Sequence, residues 1–228
     1  MILNASPMQM PVGFDRLIPC SFRSQGSILV EGVHFNENHL RVTIDALPDQ
    51  PALLNCEPLD SYGRMGMNWW TDPDRATTTR WQLVTAIRRM RPSLEFGLYS
   101  LPEPNWRLAA DPGANGMATH NQAVDYMPIA DQIPRLFVGA YWWWDENENY
   151  WNDWVKYTRA KISQAEMYYR KVPTVCIWHR SRNGYVPRNV MTRMVDWLAA
   201  QDLDICFWAN KRDEDFPLWL KYLLWSRA

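Results

Sequence analysis

From Lys171 to Trp208 the chain reads KVPTVCIWHRSRNGYVPRNVMTRMVDWLAAQDLDICFW. The apolar run that ends near Trp178 is typical of a buried strand, and so is the run from Asp204 to Trp208. Between them, residues 187–200 carry apolar side chains at helical spacing. Parallel neighbours need a crossover connection, which a helix supplies, so this stretch predicts a strand, a helix and a second, parallel strand.

The same alternation extends over most of the chain. Further strands are predicted at 17–22, 28–35, 51–56, 94–99, 124–127 and 135–140, and helices at 37–47, 72–90, 148–169 and 216–225. Residues 37–47 also alternate like a strand, but we favour a helix that Pro48 ends. Residues 1–14 have no periodicity and are expected to form an irregular arm. No linker divides the chain, which predicts one domain over 1–228.

Strict alternation of strands and helices predicts an α/β fold with a parallel sheet. The sequence has only ten glycines and no glycine-rich nucleotide loop, which favours a barrel over a doubly wound sheet. With 228 residues the chain is slightly short of the ~250 residues of a complete barrel. We therefore expect a compact or incomplete (β/α)8 TIM-type barrel. Irregular segments or a partner would then complete the ring of strands. A homo-oligomer is therefore possible.

Composition argues against several classes of function. The net charge is −1, with 24 basic and 25 acidic residues, so we expect no nucleic-acid partner. No apolar run approaches the ~18 residues of a membrane span, and no leader is visible, so we expect a soluble protein whose location stays open. The four cysteines are scattered and predicted to be buried free thiols, and the four histidines lack metal-ligand spacing. We expect neither a metal nor a cofactor.

The fourteen tryptophans exceed what a core of this size needs. Many aromatic rings follow the carboxyl ends of predicted strands, where a barrel places its active site. Acids or amides accompany most of them. The residues predicted to bind substrate on this face are Asn55, Asp60, Tyr62, Trp69, Trp70, Tyr99, Trp106, Tyr141, Trp142, Trp178 and Trp208. In the run 142–144 the side chains alternate if the backbone is extended, so at least one ring is expected in the core.

Aromatic faces stack on the C–H faces of sugar rings, and carboxylates and amides bind the hydroxyls. Glycosidic cleavage needs a protonated carboxyl at the leaving oxygen and a second group, either a carboxylate or an acetamido group of the substrate. Five stretches have a pattern that is found in a known group of enzymes: 53–57, 97–99, 138–141, 173–178 and 205–208. In these stretches the chain resembles the TIM-barrel glycoside hydrolases, most nearly the hyaluronidase and chitinase-like barrels. The resemblance covers roughly 52–210 and is one of pattern.

The resemblance implies that Glu57 is the catalytic acid. Asn55 stands where those families have an aspartate that orients the acetamido group, which puts substrate-assisted retention in doubt. Asp145 and Glu146 are the candidates for the second catalytic carboxylate. Glu57 precedes a proline, and the alternative role for it is to end a strand and bind the amides of the following loop. A carbohydrate-binding or structural protein without catalysis is therefore the alternative to a glycosidase.

Overall fold

The computed structural model describes residues 2–4, 18–30, 34–55, 73–99, 124, 126–142, 150–180 and 184–208. Its strands form one sheet, and every neighbouring pair runs parallel. The strands are β1 (Ile2–Asn4), β2 (Ile18–Pro19), β3 (Ser21–Arg23), β4 (Ala52–Asn55), β5 (Phe96–Tyr99), β6 (Phe137–Gly139), β7 (Thr174–Trp178) and β8 (Asp204–Trp208). Their order across the sheet is β2-β1-β8-β7-β6-β5-β4-β3. The predicted α/β class is confirmed.

The sheet curls because its two outermost strands belong to one stretch of chain. β2 pairs with β1 and β3 pairs with β4, and only Cys20 separates the two strands. If 18–23 is counted as one strand, each strand lies beside those that precede and follow it in sequence, and β8 pairs with β1. The eight strands then occupy seven positions. The described residues therefore form a curled, barrel-like sheet and not a complete (β/α)8 barrel.

Helices lie in the connections between strands. They are α1 (Gln25–Ile28), α2 (Glu37–Asp45), α3 (Pro73–Met90), α4 (126–132), α5 (Trp151–Tyr169) and α6 (Arg188–Ala200). The helices predicted at the positions of α2, α3, α5 and α6 are confirmed. The helix predicted at 216–225 lies outside the described residues.

Residues 37–47 were compatible with a helix or a strand, and the structure has helix α2 there. Asn36 caps it, because its side-chain oxygen accepts a hydrogen bond from the backbone N–H of His39 at 3.0 Å. Leu40 and Ile44 are buried while Val42 is 74% exposed. This is helical periodicity, since a strand would place all three side chains on one face.

Two large apolar side chains on the helices face solvent. In α3, Val84 and Ile87 are buried, but Trp81 is 41% exposed. In α5, Trp154 is buried, but Met167 is 68% exposed. A helix can carry more apolar residues of similar size than its buried face holds, and tertiary packing determines which of them are buried.

Three local predictions were wrong. A short strand was predicted at 124–127, but residues 126–132 are helical, because the buried set continues from Tyr126 at helical spacing through Ile129, Ala130 and Ile133. Within the predicted strand 28–35, Ile28 ends helix α1 and an isolated antiparallel bridge joins Val30 to His34. The expected arm contains strand β1, which is too short to show periodicity.

The two faces of the sheet pack separately. On the outer face, alternating strand residues pack against the helices in one large cluster, with Leu54, Leu98 and Val138 among them. The inner face holds a second cluster, which contains no helical residue. Its members are Cys20, Leu53, Tyr99, Phe137, Cys176 and Cys206, with Phe22, Tyr141 and Trp208 against them. The expectation of buried free thiols is confirmed for the three cysteines of this inner cluster, whereas Cys56 lies outside the described residues.

A polar network joins four strands at the amino end of the sheet. Arg135, just before β6, donates to Asp204 Oδ2 at 2.7 Å and to Thr174 Oγ1 at 2.9 Å, and also to Glu95. Its side chain is only 13% exposed. Burial alone would raise the pKa of Asp204, but hydrogen bonds, including the one from Arg135, outweigh burial and hold that pKa below its usual value.

Replacing Asp204 with asparagine is expected to lower the free energy of unfolding by about 1 kcal/mol at pH 7, since the pair is partly buried. A carboxylate whose pKa is lowered by folding stabilises the protein above its unfolded pKa, about 3.9. That stabilisation is lost as the pH falls through the lower, folded pKa. Urea unfolding at pH 7 and near pH 2.5 should therefore show the difference from wild type shrinking in acid. The control is Asp49→Asn, because the Asp49 side chain is 97% exposed. If Asp204→Asn lowered the free energy of unfolding equally at both pH values, the prediction would be contradicted.

Candidate functional site

Five aromatic side chains meet at the carboxyl end of the curled sheet. They are Phe22, Tyr99, Tyr141, Trp178 and Trp208, and we call them the aromatic mouth. Phe22 lies in β3, while Tyr99, Trp178 and Trp208 are the last residues of their strands. Tyr141 follows β6 by two residues. Because parallel strands end on the same side, residues distant in sequence come together here.

Tyr141 is the centre of the aromatic mouth. Its ring centroid lies 6.1 Å from that of Tyr99, 6.1 Å from that of Trp178 and 6.2 Å from that of Trp208. Trp178 and Trp208 meet edge to face at 5.0 Å, and Phe22 meets Trp208 at 6.1 Å. These separations are those of aromatic pairs in contact, each contributing about 0.5–1.5 kcal/mol beyond its buried area. The five rings therefore support one another as a single surface.

Strand register and two glycines make room for these rings. A Cβ atom at Gly97 would lie 2.7 Å from the Phe137 ring, and one at Gly139 would overlap the hydroxyl oxygen of Tyr99. The phenol of Tyr99 thus lies against the bare backbone of the neighbouring strand. Larger residues at either position would displace the aromatic side chains that form and support the mouth.

Part of the ring surface in the mouth is accessible. Tyr99 is 8% exposed, while Tyr141, Trp178 and Trp208 are half-buried. Half-buried indole and phenol rings that are held in place by their neighbours leave one face or edge to a ligand. Such rings suit the C–H face of a sugar, and their N–H and O–H groups suit its hydroxyls.

Asn55 lies at the rim of this surface. It is the last residue of β4, is half-buried, and stands opposite Tyr99 in the strand register. Its amide both donates and accepts hydrogen bonds but carries no charge. The structure thus brings five of the predicted substrate-binding residues to one end of the sheet: Asn55, Tyr99, Tyr141, Trp178 and Trp208.

Trp142 is separated from them. It is 1% exposed and belongs to the outer cluster, because it follows Tyr141 and its side chain leaves the backbone on the opposite side. It lines a cavity of about 110 Å³ together with Trp151, Val190, Asn189 and Arg193. This confirms that at least one ring of the run 142–144 belongs to the core, and it removes Trp142 from the mouth.

The proposed catalytic carboxylates Glu57, Asp145 and Glu146 lie outside the described residues. So do Asp60, Tyr62, Trp69, Trp70 and Trp106, which were predicted to bind substrate. The described strands still fix where these segments begin. Glu57 comes two residues after Asn55, and Asp145 comes four residues after Tyr141.

A second polar and aromatic group follows β7. His179 is fully buried, with its ring 5.7 Å from that of Tyr185, and the guanidinium of Arg180 lies 4.7 Å from the same ring. The backbone N–H of Val186 donates to the His179 carbonyl at 2.8 Å. These contacts join the segment that follows β7 to Tyr185 and Val186.

Sequence reasoning missed Phe22 as part of the mouth, and it missed the side chains of α5 that support β6. The alternation of Cys20 and Phe22 along one strand was the available signal for the first. No pattern distinguishes a buried lysine from an exposed one, so the contacts of Lys161 carried no sequence signal.

In the described part of the chain, no three His, Cys, Asp or Glu side chains are grouped so as to hold a metal ion. Nor does any described helix combine the length and the apolar character needed to cross a membrane. No family model matches the chain, and no curated protein matches it.

Proposed function

We propose that this protein binds a carbohydrate at its aromatic mouth and cleaves a glycosidic bond there. The observation that carries the proposal is the cluster of Tyr99, Tyr141, Trp178 and Trp208 at the carboxyl end of a curled parallel sheet. In barrels built from such sheets, ligands bind at this end. Aromatic surfaces with amide and hydroxyl groups at the rim suit polyhydroxylated rings with apolar faces.

The strand order supports a catalytic role for Glu57 together with Asp145 or Glu146. Glu57 follows β4 and the other two follow β6, and β5 alone separates these strands. Two strand spacings amount to about 10 Å between backbones. Retaining glycosidases use carboxyl groups about 5–5.5 Å apart and inverting ones about 6.5–9.5 Å apart, distances of the same order as this spacing. In this mechanism Glu57 protonates the leaving oxygen, and the second carboxylate either attacks the sugar or activates water.

A non-catalytic carbohydrate-binding protein is the second candidate. The observation that favours it is Asn55, which lies at the rim of the mouth where the resembling families have an aspartate. The amide can hold a substrate by hydrogen bonds but cannot stabilise a developing positive charge. In this case the aromatic mouth would bind a glycan and release it unchanged.

The experiment that separates the two is a panel of polysaccharides and amino-sugar glycans, incubated with wild-type protein and analysed for new reducing ends and for binding. New reducing ends support the glycosidase. Binding without cleavage under any condition supports the second candidate. If the protein neither cleaves nor binds any glycan of the panel, the proposed function is overturned.

A further inference from the structure

Helix α5 holds the end of β6 through two buried polar side chains. The indole N–H of Trp154 donates to the carbonyl oxygen of Ala140 at 3.0 Å, and the ammonium of Lys161 donates to that of Gly139 at 2.5 Å. Trp154 is fully buried and Lys161 is 2% exposed. Two consecutive carbonyls at the end of one strand are thus bound from the same helix.

These carbonyls lie beyond the point where β5 stops. Tyr99, the last residue of β5, stands opposite Phe137, while β6 continues two residues further to Gly139. On its other side β6 stays paired with β7, since the N–H of Ala140 donates to the Cys176 carbonyl at 2.8 Å. Among the described residues the ladder between β5 and β6 ends at the pair Tyr99–Phe137, and the Lys161 ammonium binds the Gly139 carbonyl beyond that pair.

Burying a lysine side chain carries a cost. Burying an ammonium removes its hydration, and lysine is among the residues least often fully buried. Lys161 recovers part of this by lying 4.2 Å from the centroid of the Tyr157 ring. An apolar side chain of similar size would pack the same space without that cost. Packing alone therefore does not account for this residue.

Gly139 is fixed from both sides. Lys161 holds its carbonyl from the helix layer, and the hydroxyl of Tyr99 occupies the space beside it in the interior. Two residues later comes Tyr141, whose ring contacts three others of the mouth. A small rotation of the backbone at Gly139 would move the Tyr141 ring away from these neighbours.

We propose that Lys161, assisted by Trp154, is a positioning residue that fixes the backbone of Gly139 and Ala140 and thereby holds Tyr141 at the centre of the aromatic mouth. The effect on ligands rests on the proposed function, whereas the effect on Tyr141 does not. The role differs from a purely structural one, because it predicts a local change at Tyr141 without a matching loss of stability.

The test uses full-length protein labelled with fluorotyrosine, with Tyr141→Phe to assign the fluorine NMR signal of Tyr141. Lys161→Met keeps an unbranched apolar stem and removes the ammonium. We expect its Tyr141 signal to shift or broaden, its melting temperature to stay close to that of wild type, and its affinity for the best glycan to fall about tenfold. Lys161→Gln, which keeps a donor, should restore part of the wild-type signal.

The control is Thr158→Val on the same helix. Thr158 is fully buried, and its hydroxyl has no hydrogen-bond partner in the described part of the chain, so the nearly isosteric change should leave the Tyr141 signal as it is. A Tyr141 signal unchanged in Lys161→Met, or changed equally in Thr158→Val, would overturn the proposal. If Lys161→Met fails to fold, an unchanged Tyr141 signal in Trp154→Phe, which removes the indole donor to Ala140, would overturn it in the same way. Failure of the wild type to bind any glycan would instead count against the proposed function and leave this test intact.

Discussion

Replacing Gly97 with alanine is expected to lower the free energy of unfolding by about 3 kcal/mol or more, the upper range for overpacking a core. The added Cβ would overlap the backbone carbonyl oxygen of Arg135 and lie 2.7–2.8 Å from the Phe137 ring. The carbonyl cannot move aside freely, because the N–H of Arg135 donates to Phe96 at 3.2 Å and its side chain binds Asp204. Urea unfolding of both proteins measures the loss.

Gly184 offers a matched control for that substitution. A Cβ atom there meets nothing within 4 Å, so Gly184→Ala should change the free energy of unfolding by less than about 0.5 kcal/mol. Equal stabilities for Gly97→Ala and Gly184→Ala would mean that β5 and β6 do not approach as closely as described. The close pairing of these strands, on which the position of Tyr99 and Tyr141 depends, would then be wrong.

If the proposed glycosidase function holds, replacing Glu57 with glutamine should reduce the rate of glycan cleavage by about 10²–10⁴-fold, the usual contribution of a general acid. Glutamine has nearly the same shape and hydrogen-bonding reach, but it cannot deliver a proton to the leaving oxygen. Affinity for the glycan should remain within a few-fold of wild type, because the aromatic mouth is unchanged. Initial rates of reducing-end formation and binding titrations measure the two effects separately.

Glu166→Gln is the control for this prediction, since Glu166 is an exposed residue near the end of α5. It should cleave at the wild-type rate. If Glu57→Gln cleaved as fast as Glu166→Gln, the assignment of Glu57 as the acid would be excluded. Asp145 and Glu146 would then be the remaining carboxylates to test.

Much of the fold could be predicted from the sequence because buried strands are short apolar runs and residues such as Asn36, Pro48, Pro92 and Pro187 mark helix ends. β7, β8 and α6 follow directly from the stretch 171–208. Strand β1 could not be predicted, because three residues carry no periodicity and only pairing with β2 and β8 defines them. The segment 126–132 was misjudged for a related reason, since four residues of alternation cannot distinguish a strand from the start of a helix.

Some residues of the candidate site could also be predicted from the sequence, and others could not. Tyr99, Trp178 and Trp208 could be predicted because each ends an apolar run, and runs of parallel strands end on one side. Alternation of faces predicts that Tyr141 and Trp142 point apart, although it does not say which of them faces inward. Lys161 could not be predicted, because its burial depends on a carbonyl of a strand 22 residues away in sequence.

The most direct test of carbohydrate binding at the aromatic mouth compares Trp208→Leu with Trp81→Leu. Trp208 contacts Phe22, Tyr141 and Trp178 in the mouth, whereas Trp81 is 41% exposed on helix α3. Calorimetric titration with the best glycan of the panel should show affinity reduced about thirtyfold or more in Trp208→Leu, since a central aromatic anchor is worth about 2 kcal/mol. Trp81→Leu should bind as wild type does. Equal affinities in the two folded variants would contradict binding at the mouth.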